Sequence, residues 1–143
     1  MIIREYDEVD LDDVLAIWER ASRIAHLFLG EDFLRRERDS VANIHLRLAQ
    51  TWVCLKGATI VGFISLVGNQ VGGLFVDPPF QGEGIGRVLV DHARSLHAEL
   101  ELEVFAENTG ARRFYERYGF RRIDELIHEE TGHPVVRMRL AGA

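Results

Sequence analysis

The chain has 143 residues, 47% hydrophobic and 28% charged, with three prolines, one cysteine and a formal net charge of −6. That length suits one domain, residues 1–143, able to bury roughly two-thirds of its unfolded surface without disulfides or metal. The acidic balance speaks against a broad phosphate-binding face, so nucleic acid is not expected as a partner. No apolar run reaches membrane length and Met1-Ile2-Ile3-Arg4-Glu5 is no signal peptide, which predicts a cytoplasmic protein without membrane contact.

Apolar periodicity alternates along the chain between strand and helix spacing. Ile2–Tyr6 reads as an edge strand, and Asp10 is placed to cap a helix whose inner face is Leu11, Val14, Leu15, Trp18 and Ala21. A loop from Ser22 to Gly30 precedes a second helix, Glu31 to Leu48, with Leu34, Val41, Ile44 and Leu48 facing inward. Trp52–Leu55 and Ile60–Val67 form a hairpin about Lys56-Gly57, and Cys54 within it reads as a buried structural thiol. After Asn69-Gln70 comes the strand Val71-Gly72-Gly73-Leu74-Phe75-Val76, closed by Asp77-Pro78-Pro79. A helix then carries Val88, Leu89, His92, Ala93 and Leu96 on its inner face. The strand Leu100–Phe105, a helix Gly110–Tyr118, and strands Arg121–His128 and Val135–Leu140 complete the chain. This order predicts a mixed, mostly antiparallel α/β sheet of about seven strands with helices on both faces, and an exposed edge at Val135–Leu140 guarded by Arg137 and Arg139.

Gln81-Gly82-Glu83-Gly84-Ile85-Gly86-Arg87 lies between the Gly72-Gly73 strand and the next helix. The first amides of a helix lack intrahelical acceptors, and the macrodipole adds roughly half a positive charge there, so the segment suits a diphosphate. A Cβ at position 84 or 86 is expected to keep phosphate oxygens off the backbone. The spacing fits neither the dinucleotide fingerprint nor a P-loop. Gly72-Gly73 signals a bulge. Asn108 can cap the helix that carries Phe114-Tyr115, and Gly119 ends it. His92 with His97, and His128 with His133, lack the spacing of a metal helix, so no metal is expected.

The run from Leu74-Phe75-Val76-Asp77 through Gln81-x-x-Gly84-x-Gly86, followed by Asn108, Phe114-Tyr115 and Gly119-Phe120, resembles the GCN5-related N-acetyltransferase superfamily, in its short stand-alone bacterial form. The resemblance implies acetyl-coenzyme A as cosubstrate, a primary amine on a small molecule or protein as acceptor, and a monomer or homodimer. It also implies residue roles. Backbone amides of Gln81, Gly82, Glu83, Gly84, Ile85, Gly86 and Arg87 would hold the pyrophosphate. Leu74, Phe75 and Val76 would pair with the pantetheine arm where the bulged fourth strand splays the sheet. Asn108 would bond that arm, Phe114 would pack beside it, and Tyr115 would face the sulfur. His26 and Phe28, in the loop that borders the acceptor cleft in this family, would meet the amine. Arg112, Arg113, Arg117, Arg121 and Arg122 offer charge for the 3′-phosphate or form a solvated face.

An amine that attacks the thioester directly leaves coenzyme A as a thiolate. A phenol of pKa about 10 is matched to reprotonate a thiol of pKa about 8.5, which makes Tyr115 the general acid; Tyr118, one turn on, fits the core. Gln70 to Val76 contains no acid, although many relatives use a glutamate on that strand. The base is then Glu103 in Leu102-Glu103-Val104, His26, or water. The other reading is a non-catalytic acyl-coenzyme A sensor, for which a phenol at the sulfur has no use.

Overall fold

The strands Gln50–Lys56 and Thr59–Val67 are apolar on both faces, and a sheet with such strands at its centre is stable only with helices over each side. A computed structural model of the chain describes residues 1–142, the side chain of Ile44 excepted. Its elements are β1 (Ile2–Glu5), α1 (Leu11–Ala25), α2 (Glu31–Ser40), α3 (Leu46–Leu48), β2 (Gln50–Lys56), β3 (Thr59–Val67), β4 (Gln70–Val76), α4 (Ile85–Leu96), β5 (Leu100–Phe105), α5 (Thr109–Tyr118), β6 (Arg121–Ile127) and β7 (Pro134–Leu140). One seven-stranded sheet runs in the order β1-β2-β3-β4-β5-β7-β6. Every neighbouring pair is antiparallel except β4 with β5.

Alternation along the strands, reset by a bulge at Val61 of β3, sorts the side chains into two cores. Trp52, Cys54, Val61, Ile64 and Leu66 join Ile85, Leu89, Val90 and Ala93 of α4 with Tyr115 of α5. Val53, Ile60 and Phe63 join Val14, Leu15, Ile17 and Trp18 of α1 with Phe33 and Leu34 of α2. Cys54 is a fully buried thiol whose pKa desolvation raises, as befits a packing residue.

Several local expectations change. Asp10 does not cap α1 through its side chain. Its carboxylate accepts two bonds from the Arg4 guanidinium (2.7 and 2.9 Å) and one from the Asp7 N–H (2.9 Å), while Asp7 caps a 3₁₀ turn, Glu8–Asp10, that leads into α1. The bidentate cation is the stronger partner for a buried carboxylate. The predicted loop from Ser22 is helical to Ala25 and continues as a 3₁₀ turn at Leu27–Leu29. The second helix is interrupted by a π turn at Val41–His45. Leu48 and Leu96 are exposed rather than inward-facing, and the Ile44 side chain lies outside the described residues. The strand at Val135–Leu140 is interior: β7 sits between β5 and β6, and β6 forms the edge. Arg137 and Arg139 serve the sheet instead, Arg137 on Asp124 (2.7 and 2.6 Å) and Arg139 on Glu99 and Glu101 (2.9 and 2.6 Å).

Candidate active site

The site begins with one extra residue. Ser65 of β3 opposes Gly73 and Leu66 opposes Val71, which leaves Gly72 without a partner and bulges β4. On its other side β4 pairs with β5 only at Gln70↔Glu101 and Val71↔Leu102. Beyond that point the strands diverge, and Gly72–Val76 faces Glu103–Phe105 across a gap. Backbone N–H and C=O groups on these facing edges are left for a ligand that can add as a strand. The gap opens into a cavity of about 890 Å³ bounded by β4, β5, α2, α5 and the glycine loop.

At one end of the cavity lies that loop. The amides of Gly82, Glu83, Gly84, Ile85, Gly86 and Arg87 donate to no acceptor among the described residues, the first α4 bond being Val88 N–H to the Gly84 carbonyl (3.1 Å). Six successive free donors at the start of a twelve-residue helix fit a pyrophosphate. The fold adds a reason of its own for each of two glycines in this loop. Gly84 stands in the left-handed region (φ 85°), and a Cβ there would enter open space. At Gly86 a Cβ would come within 3.2 Å of the Phe114 ring, so this glycine lets α4 and α5 close on each other. The Gln81 side chain donates to the Val76 carbonyl (3.2 Å), tying the loop to the end of β4, and Glu83 pairs with Lys56 (2.7 Å). A further tie was not apparent in the sequence: Asp77, in the Asp-Pro-Pro turn, is buried and takes both oxygens to Arg20 of α1 (2.8 and 3.0 Å). No cation stands near Asp77 in the sequence, so this pairing comes only with the fold.

Asn108 caps α5, its Oδ1 accepting the Ala111 N–H at 3.3 Å. That helix carries Tyr115 into the cavity between Phe114 and Phe120, each with ring centroid 5.4 Å away. Burial pushes the Tyr115 phenol far above its usual range, and its hydroxyl has no hydrogen-bond partner among the described residues. A phenol so placed stays protonated at neutral pH and has its proton free to give. Tyr118 is only half-buried: it donates to Asp91, with Arg87 and Arg94 over its ring at 5.5 and 5.9 Å. Of the arginine cluster, Arg117 lines the cavity, Arg112 donates to the Ala106 carbonyl (3.0 Å) and Arg122 pairs with Glu125 (2.7 Å).

The other end of the cavity is aromatic. His26 packs edge-on to Phe105 (5.4 Å), and burial lowers its pKa, so it is neutral at pH 7. Asn108 Nδ2 donates to His26 Nε2 (3.3 Å), since the Asn108 oxygen is already committed to the cap; the ring proton is then on Nδ1. The expected ligand residue Asn108 is thus shared between its helix and His26. Phe28 packs on Phe105 (5.8 Å) and His133 (5.2 Å), behind the cavity wall rather than on it. Glu103 lines the cavity without an ion pair among the described residues; its cross-strand neighbour Arg137 is taken by Asp124. Glu101, on the same strand face, is instead held below the usual carboxylate range by Arg139 and Gln70. Glu37 of α2 lines the cavity too, and sequence reading passed over it. The signal was a carboxylate between Phe33 and Val41, at the i, i+4 spacing where an inward helix face calls for an apolar residue.

Comparisons with known proteins give the family. Residues 37–141 match the family model described as the acetyltransferase (GNAT) domain. The chain is 34% identical over 140 residues to the peptidyl-lysine N-acetyltransferase YjaB of Escherichia coli K12, covering 97% of this chain and 95% of that one. It superposes on the solution structure of apo YjaB from E. coli with a TM-score of 0.88 at 32% identity, over all of both chains. The PaiA N-acetyltransferase of Thermoplasma acidophilum, solved with coenzyme A, shares the fold (TM-score 0.79, 17% identity, 99% and 98% covered). The chain belongs to the GNAT acetyltransferase family and is an acetyl-coenzyme A-dependent N-acetyltransferase.

Proposed function

We propose that the acceptor is the ε-amine of a lysine in a peptide or protein, acetylated by direct attack within a ternary complex, with Tyr115 as general acid. The name carried by the YjaB relative, aligned over nearly the whole chain, supports the acceptor. The observation that carries the mechanism is the single cavity in which the free loop amides, the splayed β4 edge and the Tyr115 phenol meet.

The amides of residues 82–87 would hold the pyrophosphate, and the parted edge of β4 at Leu74, Phe75 and Val76 would hold the pantetheine arm, with Phe114 beside it. When bound, acetyl-coenzyme A supplies an activated carbonyl and a thiolate leaving group. Alternate N–H groups of β4 face away from β3, so one from the Gly72–Phe75 stretch is available to a developing oxyanion. Tyr115 gives its proton to the departing sulfur; burial keeps that proton in place until then. Glu103 takes the proton of the incoming ammonium, directly or through water. His26 is less suited, because its lone pair already accepts from Asn108.

Incubation of a lysine peptide with the protein and acetyl-coenzyme A, followed by thiol release and by mass spectrometry of the product, tests this reading. Enzyme-dependent acetylation of the lysine side chain is expected. Transfer confined to free amines other than lysine would overturn the acceptor assignment.

A further inference from the structure

Two carboxylates line the cavity with no ion-pair partner among the described residues, Glu103 on β5 and Glu37 on α2. The third, Glu107, is engaged by His133 (3.2 Å). The setting of Glu37 differs from that of Glu103. It is half-buried on the helix face formed by Phe33, Leu34 and Val41. The π turn at Val41–His45 follows directly, and the wider turn keeps His45 and Leu46 on the cavity side with Val41. Across from α2, His128 at the end of β6 packs edge-on to Phe33 (6.1 Å). The charged and titratable groups acting on Glu37 are His45, Glu130, His128 and Arg36. None of them forms an ion pair with Glu37 among the described residues. Arg36 is drawn to Glu130 (3.4 Å) and lies over the Phe33 ring (6.0 Å). His128 Nδ1 accepts the Thr131 N–H (3.3 Å). A half-buried carboxylate without an ion-pair partner carries a desolvation cost that the neighbouring His45, His128 and Arg36 offset only in part. Consistent with that, burial raises the Glu37 pKa.

Resting on the lysine reading above, we infer that Glu37 is the residue that recognises the acceptor, holding the positive charge of the lysine ammonium while Phe33 and Val41 receive its methylene stem. Apolar walls with one convergent anion match an aliphatic amine, whose long stem buries well and whose head needs a counter-charge. The same arrangement explains discrimination between substrate and product. Acetylation converts the ammonium to a neutral amide, so the attraction to Glu37 disappears with the reaction.

The test uses three capped peptides identical except at one position, lysine, norleucine or acetyl-lysine, titrated calorimetrically into the protein saturated with coenzyme A. The wild type is expected to hold the lysine peptide about 10- to 100-fold more tightly than the other two. Glu37→Gln should lose that preference, and Glu37→Asp should recover part of it, while both keep the wild-type affinity for coenzyme A. In turnover, Glu37→Gln should raise the KM for the lysine peptide by a similar factor with a smaller change in kcat. A wild type that binds the three peptides alike overturns the assignment, as does a Glu37→Gln variant that still prefers lysine. Should Glu37→Gln fail to bind coenzyme A, Glu37→Asp and the wild-type comparison still decide the matter. Failure of the lysine reading looks different: the wild type would prefer the lysine peptide and yet transfer no acetyl group to it.

Discussion

At the scale of single residues, protonation states divide the labour. Burial raises the Tyr115 pKa and lowers that of His26, so both are neutral through the physiological range. The sign of each effect is testable. Because the phenol pKa is raised, kcat should show no loss at high pH from Tyr115 ionisation up to about pH 10. Any limb between pH 6 and 9 belongs to a group other than Tyr115. Glu103→Gln should lower kcat/KM by roughly 10²-fold, whereas His26→Asn should act mainly on KM; steady-state rates of both variants with one lysine peptide check this. An unchanged rate in Glu103→Gln leaves water as the proton acceptor. The loop glycines separate in the same way. Gly84→Ala places a side chain at φ 85° and should cost about 1–2 kcal/mol of stability in urea unfolding. Gly86→Val should displace Phe114 and weaken coenzyme A binding by calorimetry while leaving the loop conformation attainable.

At the scale of elements, much was legible because the signal was local. Alternation in Leu100–Phe105 gave β5 and its two faces, with Leu100, Leu102 and Val104 buried as their spacing required. Gly72-Gly73 announced the bulge, and the glycine loop announced the helix start that follows it. What failed depended on pairings that local pattern does not reveal. Asp10 looked like a cap until Arg4 folded against it, and Val135–Leu140 looked like an edge because strand order cannot be read from strand pattern. The π turn left no mark that periodicity could detect, and it interrupts the helix whose inner face bears Glu37. The tie between α1 and the end of β4 belongs to this scale as well. Asp77→Asn should lower the urea midpoint and weaken coenzyme A binding together, since Arg20 and Asp77 hold the turn that leads into the loop. A midpoint that falls with unchanged affinity would confine that pair to stability.

At the scale of the whole molecule, the divergence of β4 from β5 is where stability yields to function. The sheet forgoes ladder bonds beyond Val71↔Leu102 and leaves backbone groups for a ligand to satisfy. Ligand binding should then stabilise the fold, by about 2.7 kcal/mol at a coenzyme A concentration of 100 Kd, read as a rise in Tm. Stability should also fall on acidification. Asp10 is held below the usual carboxylate range by Arg4, and Asp124 by Arg137. The stabilisation these groups give is present above their unfolded pKa of about 4 and is lost as pH falls through the lower folded values. The most direct test of the account is the turnover of Tyr115→Phe with acetyl-coenzyme A and a lysine peptide under conditions where chemistry limits the rate. The ring and its contacts with Phe114 and Phe120 are kept and only the proton is removed. A fall in kcat of about 10²- to 10⁴-fold at unchanged coenzyme A affinity is predicted; near-wild-type turnover would contradict the assignment of Tyr115 as the acid.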